Sequence, residues 1–334
     1  MSQSPARQPF GGPAAQPQPE MFGHSFADVN GVRLHYASSG NPANKLILFL
    51  HGFPEFWYAW RNQLAEFGED FHAVAPDQRG YNLSSRPAEV EQYEITRLVG
   101  DVRALVEHLQ PSHIGAHRCI LVAHDWGGVV AWATAMAFPG LVEKLVIINA
   151  PHPGIFEREL RENPAQQSAS QYMNVFRSPE AEAMISANNF ALFQEGILGE
   201  GLRQGYFTER DRLAYVEAWS QPGALTGGLN WYRAAKMGPP PGKANLPIGA
   251  SAAAGEAEGR GAGAIARKLS SLEVKAPTLV IWGEQDPYLL TGNLDGLDRF
   301  VPNLRIERIP DATHWVVHEK PQLVNSLIRS FVQS

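Results

Sequence analysis

The segment Val122-Ala123-His124-Asp125-Trp126-Gly127-Gly128 has the shape of a nucleophile elbow, with aspartate where most such elbows carry serine. An apolar run, Cys119-Ile120-Leu121-Val122, leads into it, and an alanine-rich helical run over residues 129–138 leads out. A strand-turn-helix this tight needs small residues two before and two after the nucleophile, and Ala123 and Gly127 supply them. The residue type then selects the chemistry. A serine alkoxide suits attack on a carbonyl. A carboxylate suits displacement at a saturated carbon, giving an alkyl ester on the protein that water later cleaves. Asp125 therefore points away from esters and toward epoxides or haloalkanes. An aspartate that merely caps the next helix is the ordinary alternative, and the small flanks and preceding apolar run argue against it.

Three further motifs fall in order around the elbow. His51-Gly52-Phe53-Pro54 follows a continuous apolar run at residues 45–50. There the backbone N–H of Phe53 can face the elbow and, with that of Trp126, form a two-donor oxyanion hole. Trp282-Gly283-Glu284-Gln285-Asp286-Pro287 follows a second such run, and Asp286 is the candidate to orient and stabilise a histidinium, with Glu284 as local competitor. The alternative acid position, after the run ending at Ile148, holds the uncharged Asn149. Asp311-Ala312-Thr313-His314-Trp315 supplies the base. Of the 11 histidines, His314 is singled out by lying past the last strand-like run, in the order nucleophile, acid, histidine. His318, one turn on, is its competitor, and His124 is expected to pack or hydrogen-bond behind the elbow.

Holding these residues together takes a sheet. Strand patterns occur at residues 32–36, 45–50, 72–75, 119–122, 144–148, 277–282 and 305–309, and helical periodicity at 55–67, 93–109, 129–138 and 320–332. Such alternation predicts an α/β fold with a mostly parallel sheet flanked by helices. Strand signals vanish over 151–238, which reads as a helical cap inserted into a core of residues 22–150 and 267–334. Residues 239–266 are Pro/Gly/Ala-rich and read as a mobile loop. Residues 1–21, rich in Pro, Gln and Ala, read as a disordered tail rather than a signal peptide. The chain has 334 residues, a net charge of −6 and one cysteine, Cys119, expected to be a small core residue. It has no basic run suited to nucleic acid, no apolar span long enough for a membrane, and no metal-ligand spacing. The expectation is a cytoplasmic protein without cofactor, with homodimer formation left open.

The motifs His51-Gly52-Phe53-Pro54-Glu55-Phe56-Trp57, His124-Asp125-Trp126-Gly127-Gly128 and Leu229-Asn230-Trp231-Tyr232-Arg233 together resemble the α/β-hydrolase-fold epoxide hydrolases. The match runs from about Phe22 to the C-terminus, apart from the Gly/Ala-rich loop. The resemblance implies the α/β-hydrolase fold, a cis Phe53–Pro54 peptide, a small apolar epoxide as substrate, and cap tyrosines that hydrogen-bond the epoxide oxygen. Tyr232 matches one of these. The second usual position, four residues before Phe193-Gln194-Glu195, holds Asn189, whose amide can donate a hydrogen bond but cannot protonate an alkoxide. Either Asn189 assists Tyr232 or another cap tyrosine such as Tyr172 folds in, with Trp231 as a further contact. A haloalkane dehalogenase is the nearest alternative and would need a halide-binding N–H from Trp219 or Trp231 beside that of Trp126. Fluoroacetate-type dehalogenation would want arginines beside the nucleophile, where Trp126 and Val129 stand. A non-catalytic ligand-binding relative would have no use for an intact Asp125, Asp286 and His314.

Overall fold

The continuous apolar runs form the middle of the sheet, where both faces are covered. The computed structural model describes residues 17–110, 117–235, 237–242 and 272–334. Its strands are β1 (Gly23–Val29), β2 (Val32–Ser39), β3 (Leu46–Leu50), β4 (His72–Pro76), β5 (Cys119–His124), β6 (Val142–Ile148), β7 (Thr278–Gly283) and β8 (Leu304–Ile309). They form one sheet in the order β1-β2-β4-β3-β5-β6-β7-β8. β1 and β2 pair antiparallel, β2 runs antiparallel to β4, and the remaining neighbours are parallel. Every residue of β3, β4, β5 and β7 is buried, as parallel strands covered on both faces require. Cys119 opens β5 fully buried, and burial pushes its thiol up to about 12, so it behaves as a small apolar core residue.

Helices α1 (Arg61–Phe67), α2 (Ile95–Leu109) and α3 (Asp125–Ala137) link the first strands. Between β6 and β7 the described chain is helical: α4 (Pro153–Glu162), α5 (Pro164–Ala169), α6 (Tyr172–Arg177), α7 (Ala181–Phe193), α8 (Glu200–Gln204), α9 (Glu209–Ser220) and α10 (Ala224–Ala235). A final helix, α11 (Pro321–Gln333), packs back near α1. The insertion is tied to the core by buried polar bonds. Trp219 Nε1 donates to the Pro54 carbonyl at 2.6 Å, the Tyr215 hydroxyl to Glu55 Oε1 at 2.9 Å, and Arg61 pairs with Asp211 at 3.2 Å. The two hydrogen bonds satisfy groups that would be costly to bury alone, and the ion pair offsets two buried charges. Among the described residues no helix is long and apolar enough to cross a membrane.

Two segments differ from expectation or fall outside the description. Residues 1–16 of the expected tail lie outside it. The segment that follows is ordered: Pro19–Met21 forms a 3₁₀ turn, and Glu20 accepts from Arg210 of α9 at 2.7 Å. Of the expected loop, residues 243–266 lie outside the described residues. Its first residues run along α6, with the Pro239 and Pro240 carbonyls accepting from Asn174 and Gln171 at 3.4 and 3.1 Å.

Candidate active site

β5 ends at His124 and α3 begins at once, so the turn between them is a single residue, Asp125, with φ of 50°. A non-glycine residue rarely holds this left-handed conformation, and aspartate tolerates it better than most. Close packing around the turn enforces it. A Cβ on Gly127 would lie 2.2 Å from the Leu50 carbonyl oxygen and 2.5 Å from that of His51, and one on Gly52 would lie 2.4 Å from Asp125 Oδ1. Gly127→Ala is expected to force β3 and α3 apart and to cost about 1–3 kcal/mol of stability, as overpacking does, together with most activity. Thermal melting beside a rate assay checks it, and a variant with unchanged melting temperature and rate would show that the elbow has slack.

The turn aims the carboxylate at Phe53 and His314. Oδ1 accepts from the Phe53 backbone N–H at 2.8 Å, and the Phe53–Pro54 peptide is cis. Trp126 stands in the first turn of α3, where backbone N–H groups have no intrahelical acceptor. Oδ2 faces His314 Nε2 at 3.7 Å, an ion-pair distance too long for a hydrogen bond. His314 Nδ1 is bonded to Asp286 Oδ2 at 2.7 Å. Asp286 is in turn held by the Tyr288 and Leu289 backbone N–H groups at 2.8 and 3.0 Å and by Asn149 Nδ2 at 2.8 Å. Nucleophile, histidine and acid thus follow one another, the histidine fixed by Asp286 and the nucleophile by the Phe53 N–H.

Above Asp125 lies a pocket lined by Phe53, Phe176, Phe193, Ile197 and Trp315 with Tyr172, Tyr232 and Tyr288. Tyr232 comes from α10 and Tyr172 from the first position of α6, their ring centroids 6.3 Å apart. The arrangement offers a carboxylate, a base beside it and phenolic donors above it, in an otherwise apolar chamber. It can displace a leaving oxygen at saturated carbon, protonate that oxygen and hydrolyse the resulting ester.

Residues 45–321 match the α/β hydrolase fold family. The chain is 36% identical over 311 residues to AB hydrolase superfamily protein YfhM of Bacillus subtilis, covering 92% of this chain and 97% of that one. It is 34% identical over 329 residues to epoxide hydrolase 4 of Mus musculus, covering 96% and 82% respectively. The chain belongs to the α/β-hydrolase-fold epoxide hydrolases. Its fold also matches the crystal structure of a variant epoxide hydrolase from Bacillus megaterium complexed with its product, (R)-3-[1]naphthyloxy-propane-1,2-diol. That match has a TM-score of 0.79 at 39% identity, covering 93% of this chain and 100% of that one.

Electrostatics set the resting state. Burial alone would push the His314 imidazole down, but the charge and hydrogen bond of Asp286, then the charge of Asp125, override it and raise the group to about 9. Both cap phenols are held well above their ordinary value, first by burial. Tyr232 also accepts a hydrogen bond from the Trp126 side chain, which opposes that rise.

Some expected residues stand elsewhere. Asn189 does not line the cavity. Ala187 breaks α7 with an extended ψ of 142°, and Asn188, Asn189 and Phe190 follow with φ of 50°, 56° and 62°. This left-handed turn puts both asparagines on the surface while Phe190 and Phe193 are buried. Tyr172 lines the cavity opposite Asp125 instead. Trp231 is not a wall of the cavity either. One residue along the helix from Tyr232 means about 100° around it, so its indole points down, stacking edgewise on Trp126 and Tyr81 and donating to the Arg79 carbonyl at 2.9 Å. Trp219 is likewise committed to Pro54. Neither indole is free to hold a halide, the role a dehalogenase would need. Glu284 pairs with Arg308 at the surface.

The sequence placed His124 behind the elbow but did not reveal the rest of the supporting layer. Glu55 is buried, with His318 Nε2 at 2.6 Å and His124 Nδ1 at 3.2 Å, and its carboxyl is held well below the usual range. Burial would raise it, and the charges and hydrogen bonds of His318 and His124 outweigh that. His124 Nε2 reaches the His314 carbonyl at 2.9 Å, so it braces the histidine loop from behind the elbow. His318 is consumed by Glu55 and cannot serve as the base. Asn149, set aside in the sequence for lacking charge, holds Asp286.

Proposed function

We propose that this protein hydrolyses an epoxide to a vicinal diol through an alkyl ester on Asp125. The observation that carries this reading is the pair of phenols, Tyr172 and Tyr232, lining one cavity with Asp125. A leaving alkoxide needs a proton, and a leaving halide does not. Asp125 Oδ2, the oxygen turned toward His314, attacks the less hindered epoxide carbon. The C–O bond breaks, and a cap phenol gives its proton to the departing oxygen. Oδ1 becomes the ester carbonyl while still accepting from Phe53 N–H. The phenolate left behind recovers a proton as His314 gives up its own; neutral His314 then takes a proton from water, and the hydroxide attacks the carbonyl carbon of Asp125. Negative charge on Oδ1 is met by the Phe53 and Trp126 N–H groups. Collapse expels the ester oxygen, which takes the proton held by His314 and leaves as the diol, and the acid proton left on Asp125 returns to His314, restoring the carboxylate.

The first step removes the charge of Asp125, so His314 loses one of the two carboxylates that keep it protonated and becomes a usable base when the ester needs one. The insertion acts as the cap, excluding bulk water and supplying the phenols. Its aromatic walls suit a terminal epoxide with an aryl or aryl-ether arm, a reading supported by the naphthyloxy diol bound to the Bacillus megaterium relative. Turnover of a panel holding an aryl glycidyl ether, a long-chain aliphatic epoxide and a short bromoalkane tests this. Diol from the aryl epoxide with an enzyme adduct by intact mass is the expected result. Bromide release without diol formation would overturn it.

Tyr232→Phe is expected to slow ester formation by about 10- to 100-fold, the worth of a hydrogen bond to a charged group, and to leave ester hydrolysis nearly unchanged. Tyr172→Phe should act in the same direction and Asn189→Ala should not. Stopped-flow fluorescence resolves the two steps, and an unaltered alkylation rate in both phenylalanine variants would move proton donation elsewhere.

A further inference from the structure

The two phenols come from different helices, so something must keep them in register. α6 starts at Tyr172 and ends at Arg177, and α10 carries Tyr232 in its last turn. The carbonyl of Tyr232 is among the last four of its helix, which find no intrahelical donor. Arg177 Nε donates to it at 3.2 Å. The same guanidinium reaches back to Asn174 Oδ1 through Nη1 at 3.4 Å and across to the Met237 carbonyl through Nη2. One side chain therefore joins the end of the Tyr172 helix, the end of the Tyr232 helix and the segment leaving the insertion. Gln171, just before α6, and Asn174 and Arg177 on it are spaced by three, and all three meet that segment. Its backbone comes so close that a Cβ on Gly238 would lie 2.1 Å from Arg177 Nη2.

The charge on Arg177 is placed unusually. The three acceptors named for it are neutral oxygens, and among the described residues no ion pair joins it to a carboxylate. It is half-buried, and burial weakens the guanidinium's hold on its proton, opposed by Tyr232 and Tyr172. Conversely its charge works against the burial that keeps the Tyr172 phenol protonated. A cation close to two phenols favours negative charge there, whether on a phenolate or on an alkoxide sharing the phenol's proton.

We propose that Arg177 is a positioning residue for ring opening: one guanidinium fixes the register of both tyrosine-bearing helices, and its charge assists proton donation by Tyr172 and Tyr232. This rests on the epoxide chemistry proposed above. Arg177 does not touch the reacting atoms and acts only through the tyrosines. A merely structural clamp would slow both chemical steps together or lower the melting temperature. A residue acting through the phenols slows only the step that uses them.

The test compares Arg177→Met and Arg177→Lys, each in the wild-type background and in Tyr172→Phe/Tyr232→Phe. An aryl glycidyl ether is the substrate. Stopped-flow fluorescence follows alkylation and adduct decay, and intact mass follows alkylation where it becomes slow. Arg177→Met should slow alkylation about 10-fold, the low end for a charge-assisted bond, and change adduct hydrolysis less than about threefold. Arg177→Lys should fall between, since it keeps the charge and loses the three-point contact. In the double-phenylalanine background neither substitution should slow alkylation further. An equal slowing of both steps, an undiminished effect without the tyrosines, or unchanged alkylation would each overturn the assignment. If Arg177→Met does not fold, the lysine variant in both backgrounds decides by the same criteria. A wild-type protein that forms no adduct would sink the epoxide chemistry itself. A wild-type adduct with unaltered Arg177 variants would sink only the role of Arg177.

Discussion

Asp125→Ala is expected to leave a folded protein whose diol formation falls by at least about 10⁴-fold, the scale of losing a nucleophile, with no mass adduct at any time. Folding should survive because alanine at this φ costs only about 1–2 kcal/mol, and the removed carboxylate leaves room rather than a clash. Oxygen-18 water distinguishes a nucleophile from a base. In a single turnover with enzyme in excess, the first diol should carry no solvent label. Water attacks the carbonyl carbon of Asp125, so the oxygen that leaves with product comes from the carboxylate. The label stays on Asp125 and enters product only in later turnovers. Were Asp125 a general base, activated water would attack the epoxide and label the first diol fully. The geometry argues for the covalent route: Asp125 Oδ1 accepts from Phe53 N–H at 2.8 Å, a donor that a simple base would not need. Label in the first diol would sink the ester mechanism even if every named residue proved essential.

Much of this site was readable because chemistry at a turn demands rare residue combinations. The elbow could be read from two small residues around an aspartate, since a tight strand-turn-helix admits little else. His314 and Asp286 could be read from chain order after strands whose buried apolar runs are unambiguous. β1 was not foreseen. It is an edge strand with one face to solvent, and His24, Ser25 and Phe26 are exposed, so it has no apolar run to notice. Asn189 failed for a different reason. Its distance from Phe193 fits a continuous helix, but α7 contains a left-handed turn that periodicity does not reveal. Tyr172 could be named only as one candidate, because its approach to Tyr232 depends on how two helices 60 residues apart pack. The Glu55 network was invisible for a related reason. Glu55, His124, Tyr215 and His318 are far apart in sequence, and a buried carboxylate looks like a surface one until its partners are in view.

His314→Ala should fail differently from Asp125→Ala. Alkylation needs no base, so the ester should form at a rate within about tenfold of wild type and then persist, seen by intact mass as one substrate added per chain. Its hydrolysis should slow by about 10²- to 10⁴-fold, the usual worth of a positioned base. The pH profile carries a second check. In the resting enzyme His314 is raised to about 9 by Asp286 and Asp125 together, against burial, with Glu55 adding in the same sense. Alkylation removes the Asp125 charge, so in the ester the imidazole should titrate below about 9. Ester hydrolysis in wild type should therefore rise with pH and level off before that value, and the rise should vanish in the alanine variant. Linkage fixes the sign for stability. A group raised from about 6.5 in the unfolded chain to about 9 in the folded one stabilises fully below 6.5 and loses that contribution as pH climbs through about 9. Wild-type melting temperature should thus fall across that window relative to His314→Ala. A difference between the two that did not change with pH would mean that His314 is not protonated at rest, and that alkylation of Asp125 is not what frees it to act.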